Sequence, residues 1–507
     1  MRAQRLEEVN RLVQGALPGE QVAVRPASVC EAAGVTYAVA ATDLQDLLVV
    51  LGTDGAARGF EPVRTARAGG QVLALCRLTR GNAQAVRAAL PFTAPQPLGK
   101  MDATVGLGDR LGCAGPGHIA AIRRYRAWPV LAQQSVRELT LTGRTFPEVL
   151  DASTWAVLAT GFREPWGADG DHLKTEDQVR TALSAGLTMI TADVSERLRR
   201  EAATMSGAEI DSAYGALDAA YRRDVERRYL YSPFPLVSGG AIRFTDAELR
   251  RVVILYRDAL ELAGRLYRAA TDLKGEDAGF DFELSVDETD TPTKPLEHLF
   301  WALELKRRGV KHVVSLAPRF IGDFEKGIDY KGDLKEFEKQ LRVHAAIAEK
   351  FGPYKISVHS GSDKFSIYPV VGRVCGTRLH LKTAGTSYLE ALRVVVRVDK
   401  QLFGEIAAFD AGRFAQDKQS YHISATDAGV AALAKTAPAD FERVYLNETT
   451  GRQLLHVTFG STLTIGKSAN GRLFKESILE ILNKHKDLHT EVLSKHLGEH
   501  MRLLNLG

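Results

Sequence analysis

The chain has 507 residues, 45% hydrophobic and 25% charged, which is ordinary globular make-up and room for several domains or one large barrel with additions. Its 66 basic and 62 acidic side chains leave a net charge of +4, so no nucleic-acid-binding face is expected, and runs such as "RRYR" at 123–126 read as solvated helix surface. Cys30, Cys76, Cys113 and Cys375 are scattered without a CxxC, which argues against a disulfide framework or a thiolate zinc site. No apolar run approaches about 18 residues, and the N-terminal "MRAQRLEEVNRLVQGAL" is an amphipathic helix pattern rather than a signal peptide. The expected protein is cytoplasmic, with no membrane partner.

Residues 1–97 alternate helical and strand-like pieces ("TYAVAATD", "DLLVVLGTDG", "GQVLALCRLTR", "GNAQAVRAAL") and predict a small α/β domain. The proline-rich "PFTAPQPLGK" (91–100) reads as a linker. From 98 to 395 the pattern changes to short apolar strands separated by helical stretches. The predicted strands are "ATVGLGDR" (103–110), "PVLAQQS" (129–135), "WAVLATGF" (155–162), "LTMITADVS" (187–195), "FDFELSVDET" (280–289), "KHVVSLAPR" (311–319), "YKISVHSG" (354–361) and "RLHLKTAG" (378–385). Strands in that number joined by helical crossovers predict a (β/α)8 TIM-like barrel, with an open doubly wound sheet as the alternative. The stretch 196–275 reads as a helical insertion. Residues 396–507 read as a mainly helical C-terminal extension, from the i, i+3, i+4 apolar spacing of "LFKESILEILNKHKDLHTEVLSKHL".

In such a barrel the chemistry sits at the C-terminal strand ends. Those ends carry Asp109-Arg110, Gln133-Gln134, "GADGDHLKTED" with Asp171, His172 and Lys174, Asp193, Asp287-Glu288, Arg319, His359 with Asp363-Lys364, and His380 with Lys382. Alternation along "FELSVDE", "KISVHS" and "RLHLKT" turns Glu283, Asp287, His359, His380 and Lys382 inward. Isolated buried charges are costly, and a divalent ion would resolve these. Glu283, His359 and His380 are therefore the expected ligands of zinc, manganese, cobalt or nickel, with Asp171, His172 and Asp193 as rivals. Asp287, Lys382, Asp171 and Asp193 are the candidate proton-transfer groups. The plainer alternative is a set of hydrogen-bonded core histidines with Glu283 paired to Lys382. "GLGDRLG" (106–112) has GxGxxxG rather than GxGxxG spacing, and GxxxxGK[ST] and GxSxG are absent. His422 and His456 fall outside the strands, as packing residues or as a tail over the site.

The segments "VGLGDRLGCAGPGHI" (105–119), "AQQSVRELTLTGRTFPEVLDASTW" (132–155), "GADGDHLKTEDQV" (167–179), "FELSVDETDTPT" (282–293), "HSGSDKFSIYPVVG" (359–372), "HLKTAGTSYLEALR" (380–393) and "LLHVTFGSTL" (454–463) together resemble the tagaturonate epimerase family. That resemblance implies a C4-epimerase of D-tagaturonate and D-fructuronate that uses a divalent cation, with ketohexoses such as tagatose and fructose as further substrates. C4 lies β to the ketone and has no acidic proton, so a retro-aldol route is expected rather than simple deprotonation. Arg110 or Arg319 would hold the substrate carboxylate, and Gln134, His172, Lys174, Asp363 and Lys364 would hold its hydroxyls or the same carboxylate. A ketose–aldose isomerase acting on hexuronates and a non-catalytic sugar-binding barrel are the competing readings. Sequence alone leaves open whether the chain works as a monomer or a homo-oligomer.

Overall fold

Eight strands, all parallel, close into a barrel in simple sequential order. They are β1 (Thr104–Leu107), β2 (Trp128–Ser135), β3 (Gly167–Leu173), β4 (Met189–Asp193), β5 (Asp281–Ser285), β6 (Val313–Ala317), β7 (Lys355–Val358) and β8 (Leu379–Thr383). Pairing of β8 with β1, His380 opposite Thr104 and Lys382 opposite Gly106, seals the cylinder. The computed structural model describes residues 2–42, 45–68, 70–100, 102–276, 279–289 and 291–507; Asp43 of the predicted strand "TYAVAATD" and Asp290 of the segment "FELSVDETDTPT" lie outside them.

The expected barrel is present, with one strand misplaced by the sequence reading. "WAVLATGF" is the end of a helix, Phe146–Thr160, which a Thr145/Glu148 capping box starts and Gly161 at φ 61° stops. Its apolar run is continuous because the helix is buried on two sides. Trp155 and Leu158 pack under the N-terminal sheet, while Val149, Leu150 and Val157 pack on the barrel. The true third strand is "GADGDHL", whose inward residues are acids and whose glycines hide its strand character.

The N-terminal sheet is antiparallel and buried on both faces. Leu47, Val49 and Leu51 face the helix Arg2–Ala16, whereas Leu48 and Val50 face the helix Arg80–Ala89 and the barrel. After β4, residues 195–245 form short helices and a small hairpin. The helix Asp246–Lys274 then packs against the barrel helices on either side, Glu176–Ser184 and Pro295–Arg307, as an ordinary barrel crossover does. The C-terminal helices Lys400–Asp417, Thr449–Thr464, Phe474–Lys484 and Lys486–Leu503 pack across the β8 and β1 side. No helix among the described residues is long and apolar enough to cross a membrane.

Two glycines give opposite expectations. A Cβ on Gly372, in the helix Tyr368–Cys375, would sit 2.2 Å from the Leu504 carbonyl oxygen, where the C-terminal segment crosses that helix. Gly372→Ala should lower stability by about 1–3 kcal/mol. Gly412 is itself exposed, inside the helix Lys400–Asp417, with nothing within 4 Å of a Cβ, so Gly412→Ala should raise stability by about 0.5–1 kcal/mol. Urea midpoints moving in these opposite directions are the check.

Candidate active site

At the C-terminal face of the barrel the strand ends enclose a cavity of about 500 Å³. Its floor is a buried ionic cluster. Lys382 Nζ, from β8, donates to Asp169 Oδ2 (2.9 Å), Asp171 Oδ1 (2.7 Å) and Thr191 Oγ1 (2.6 Å), and lies 2.9 Å from Glu283 Oε1. Asp171 accepts a further bond from Gln133 Nε2 at 2.7 Å. Glu283 also accepts from Ser315 Oγ and pairs through Oε1 with His359 Nε2 at 2.6 Å.

Above this floor sit His359, Asp287 and His172. His359 Nδ1 is 3.0 Å from Asp287 Oδ1 but makes no aligned hydrogen bond, which leaves a buried nitrogen unsatisfied. One ligand atom from each of His172, Asp287 and His359 lies within 4.8 Å of the other two. Two imidazoles and a carboxylate in that arrangement could hold a divalent ion. Each imidazole is backed by an acid, His359 by Glu283 and His172 by Asp193 (Nδ1–Oδ2 3.2 Å), as metal-bound histidines usually are. His172 reaches the group through a bulge. β3 slips by one residue against β4 between Gly170 and Leu173, and His172 takes φ 53°, so consecutive residues Asp171 and His172 both face the cavity. Ser360, also on the cavity, has φ 50°. Non-glycine residues seldom adopt such angles, and they concentrate at functional sites.

The charges follow from these contacts. Burial would lower the His359 pKa, but Asp287 and Glu283 override it and raise it to about 10. Burial would raise Asp287, but His359 and His172 hold it well below the carboxylate range. Glu283 is lowered likewise, with Lys382 and His359 outweighing its burial. Lys382 is raised by the acids around it despite burial.

Several expected roles change. Lys382 has every donor engaged, so it balances buried acids rather than delivering protons. Glu283 lies behind His359, not beside an open position. His380 lies one layer deeper in the bore, its Nδ1 2.8 Å from Thr104 Oγ1, with burial, helped by Lys382, Lys355 and His359 and opposed by Glu283, pushing its pKa down to about 3. Gln134 faces away from the bore and accepts from Arg144 at 3.0 Å, while its neighbour Gln133 lines the cavity. Asp363 and Lys364 do not line it. Asp363 is tied to Arg452 (2.8 Å), His496 (2.5 Å) and Thr386 (2.8 Å), and Lys364 Nζ donates to the carbonyls of Glu325, Ile328 and Ser362. Arg110, Lys174, Asp193, Asp287 and Arg319 do line it.

The remaining wall comes from the β6 loop and the C-terminal extension. Arg110 is buried, with Nε and Nη2 each 2.8 Å from Glu138 Oε1, its guanidinium 3.6 Å over the Phe459 ring, and Nη1 without a partner. His456 approaches Arg110 Nη2 at 3.5 Å and presses on Gly385, where a Cβ would fall 2.0 Å from its ring. Tyr421, His422 and Lys326 complete this side. Of the histidines outside the strands, His422 and His456 thus belong to the cavity wall. Lys326 was missed because its loop carries no periodic pattern.

A sequence model of the tagaturonate epimerase family matches residues 26–504. The tagaturonate/fructuronate epimerase of Thermotoga maritima is 40% identical over 458 residues, 90% of this chain and 92% of that one. The native crystal structure of the fructuronate-tagaturonate epimerase UxaE from Cohnella laeviribosi is 39% identical, with a TM-score of 0.91 over 99% of this chain and 100% of that one. Its complex with one glycerol superposes equally well, at TM-score 0.91 and 39% identity over the whole of both chains.

Lys382→Met would strip the cation from buried carboxylates, at an expected cost of about 3–5 kcal/mol. The pH dependence should also change. Glu283 and Asp171 are depressed in the native protein, so their contribution is complete above an unfolded pKa of about 4 and lost only as pH falls through the folded values. Without Lys382, burial raises the same groups, so stability is lost as pH climbs above about 4. Between pH 8 and pH 5 the variant's urea midpoint should therefore rise clearly more than that of the wild type; parallel profiles would refute the electrostatic account.

Proposed function

Because the chain belongs to the tagaturonate epimerase family, and is accordingly an epimerase, we propose that it interconverts D-tagaturonate and D-fructuronate at C4, with tagatose and fructose as further substrates. The observation that supports this most is one cavity that joins the His172–Asp287–His359 group to a wall of cations. We place the reaction in the cytoplasm.

In this reading His172, Asp287 and His359 hold a divalent ion, and when bound it supplies Lewis-acid stabilisation of oxyanion charge. The chain's own groups do the rest. Glu283 takes the Nε2 proton side of His359 and leaves Nδ1 toward Asp287; Asp193 does the same for His172 from Nδ1. Simple proton removal cannot invert C4, so the C3–C4 bond breaks. A base takes the proton of the C4 hydroxyl, the bonding electrons pass to the C2–C3 enediolate, and C4–C6 separates as an aldehyde acid. The aldehyde turns over, the bond re-forms on its other face, and the new C4 alkoxide is protonated. Asp171 and Asp193, both ionised and on the cavity wall, are the carriers of that proton, since Lys382 has no free donor. Arg110 and Arg319 stand where a carboxylate end can be held.

Incubation with D-fructuronate followed by NMR should give the C4 epimer, with the C4 hydrogen retained in D2O and a 13C isotope effect at C3. An aldose acid product would indicate a ketose–aldose isomerase instead, and deuterium at C4 would exclude bond cleavage as the route. Metal analysis separates the ligand sets: His172→Ala and His359→Ala should lose bound ion and activity, whereas His380→Ala should keep its ion. Glu283→Gln should weaken ion affinity by about 10–100-fold.

His359, raised to about 10, carries a proton at neutral pH that ion binding must displace. Calorimetry in buffers of different ionisation enthalpy should therefore show proton release on ion uptake, and tighter binding as pH rises from 6 to 9. Uptake without proton release would contradict the assignment of His359.

A further inference from the structure

The cavity wall carries six cations: Arg110, Arg137, Lys174, Arg319, Lys326 and Lys382. Three are already neutralised by carboxylates of the chain. Lys382 has Asp169, Asp171 and Glu283; Lys174 has Asp193, Glu196 and Glu288 within 3.8 Å; Arg110 has Glu138 at 2.8 Å. Arg137 lies over the Tyr421 ring, 4.9 Å from its centroid. Arg319 has no ion pair among the described residues either, and its Nε is buried without a hydrogen bond. Lys326 is set apart by what it binds. Its ammonium is half-buried and its hydrogen bond is to Ser360 Oγ at 2.6 Å, a neutral partner that leaves two N–H donors unspent. Ser360 follows His359 directly, so this ammonium stands next to the His172–Asp287–His359 group. His456 neighbours Gly327, the next residue, and lines the same cavity with Arg110. Among the described residues no carboxylate is in ion-pair contact with this ammonium, and Asp287, Glu288 and Glu138 act on it only from further off. An ammonium so placed, removed from bulk water, invites an anion from outside.

We propose that Lys326 is a specificity-determining residue that binds the substrate carboxylate, selecting hexuronates over neutral ketohexoses. The inference rests on the C4-epimerase reading and adds to it the residue that recognises the charge. Ser360, held at φ 50°, fixes the ammonium by accepting one of its protons. The remaining donors grip the carboxylate oxygens, with Arg319 of the same β6 loop beside them on the wall. The substrate is then strung between the Lys326 end and the His172–Asp287–His359 group, with C3–C4 in between. Lys326 touches the carboxylate, not the bond that breaks, so its loss should appear mainly in KM.

D-glycerate has the carbon skeleton and charge of the C4–C6 end, and glycerol is its uncharged counterpart. NMR titration of both into the ion-loaded wild type, Lys326→Met and Lys326→Arg does not depend on turnover. Lys326→Met should weaken D-glycerate about 10–100-fold and leave glycerol within about 2-fold, and Lys326→Arg should restore most of the loss. With D-fructuronate, the fall in kcat/KM should be carried by KM. Equal weakening of both ligands, or no change in D-glycerate, would overturn the proposal. If the wild type binds D-glycerate through Lys326 yet does not epimerise D-fructuronate, the C4-epimerase reading fails and the anion subsite stands.

Discussion

The site depends on a single ammonium. Lys382 reaches from β8 across the bore to Asp169 and Asp171 on β3, Thr191 on β4 and Glu283 on β5, all within 2.9 Å. Each of those acids is buried, and unpaired buried carboxylates would carry a desolvation penalty of several kcal/mol each. One cation reaches all three acids only because they converge on it from two strands, β3 and β5, with Thr191 of β4 taking a further donor; even so, burial keeps Asp169 raised to about 6. The same contacts fix the relative heights of β3, β4, β5 and β8 where the cavity floor begins. A barrel with an apolar plug at this level would be simpler to stabilise, but it would offer nothing to orient the imidazoles above it.

Orientation passes upward from that floor. Lys382 holds Glu283 ionised, and the ionised Glu283 holds the Nε2 side of His359. This leaves Nδ1 turned toward Asp287, unsatisfied, at the cavity surface. A neutral Glu283 would accept the same bond less strongly and would not fix which ring nitrogen carries the proton. The buried lysine therefore acts on His359 Nδ1 through Glu283 and the imidazole ring, while it touches Asp171 of the cavity wall directly. On the opposite wall the β3 bulge does comparable work for His172: the extra residue turns it inward beside Asp171, and Asp193 holds its Nδ1.

Much of this was legible in the sequence, and the gaps have physical causes. Period-2 alternation exposed β5, β7 and β8, and with them Glu283, His359, His380 and Lys382 as inward residues, because those strands are regular. Depth was not legible: His380 and Lys382 share a face, but only pairing with β1 shows that His380 lies a layer lower, against Thr104. β3 was missed because a strand whose inward residues are acids has no apolar signature, while the helix beside it, buried on two sides, has a strong one. His172 could not be placed by alternation, since a bulge breaks the period. Asp363 and Lys364 were misjudged because a polar loop looks the same whether it will face a sugar or be covered by an upstream loop and by helices that follow much later in the chain.

That covering also shows why the barrel alone would not make the cavity. Arg110 sits at the end of β1, yet its guanidinium is sandwiched between Glu138 from the barrel and Phe459 from the C-terminal helix Thr449–Thr464. The same helix supplies His456 against Gly385 and Arg452 to Asp363, and the last helix adds His496 to that acid. Asp363 is thus a clamp that joins the β7 loop to two helices of the extension. Its neighbour Lys364 is spent on three carbonyls, two of them in the β6 loop that carries Lys326. The "SGSDK" loop therefore has two jobs along its length. Ser360 borders the cavity beside His359, and Asp363-Lys364 dock the extension and the β6 loop. The strand that delivers the histidine and the contacts that build the cationic wall around it are consecutive in sequence, which couples closure of the C-terminal helices to the geometry of the site.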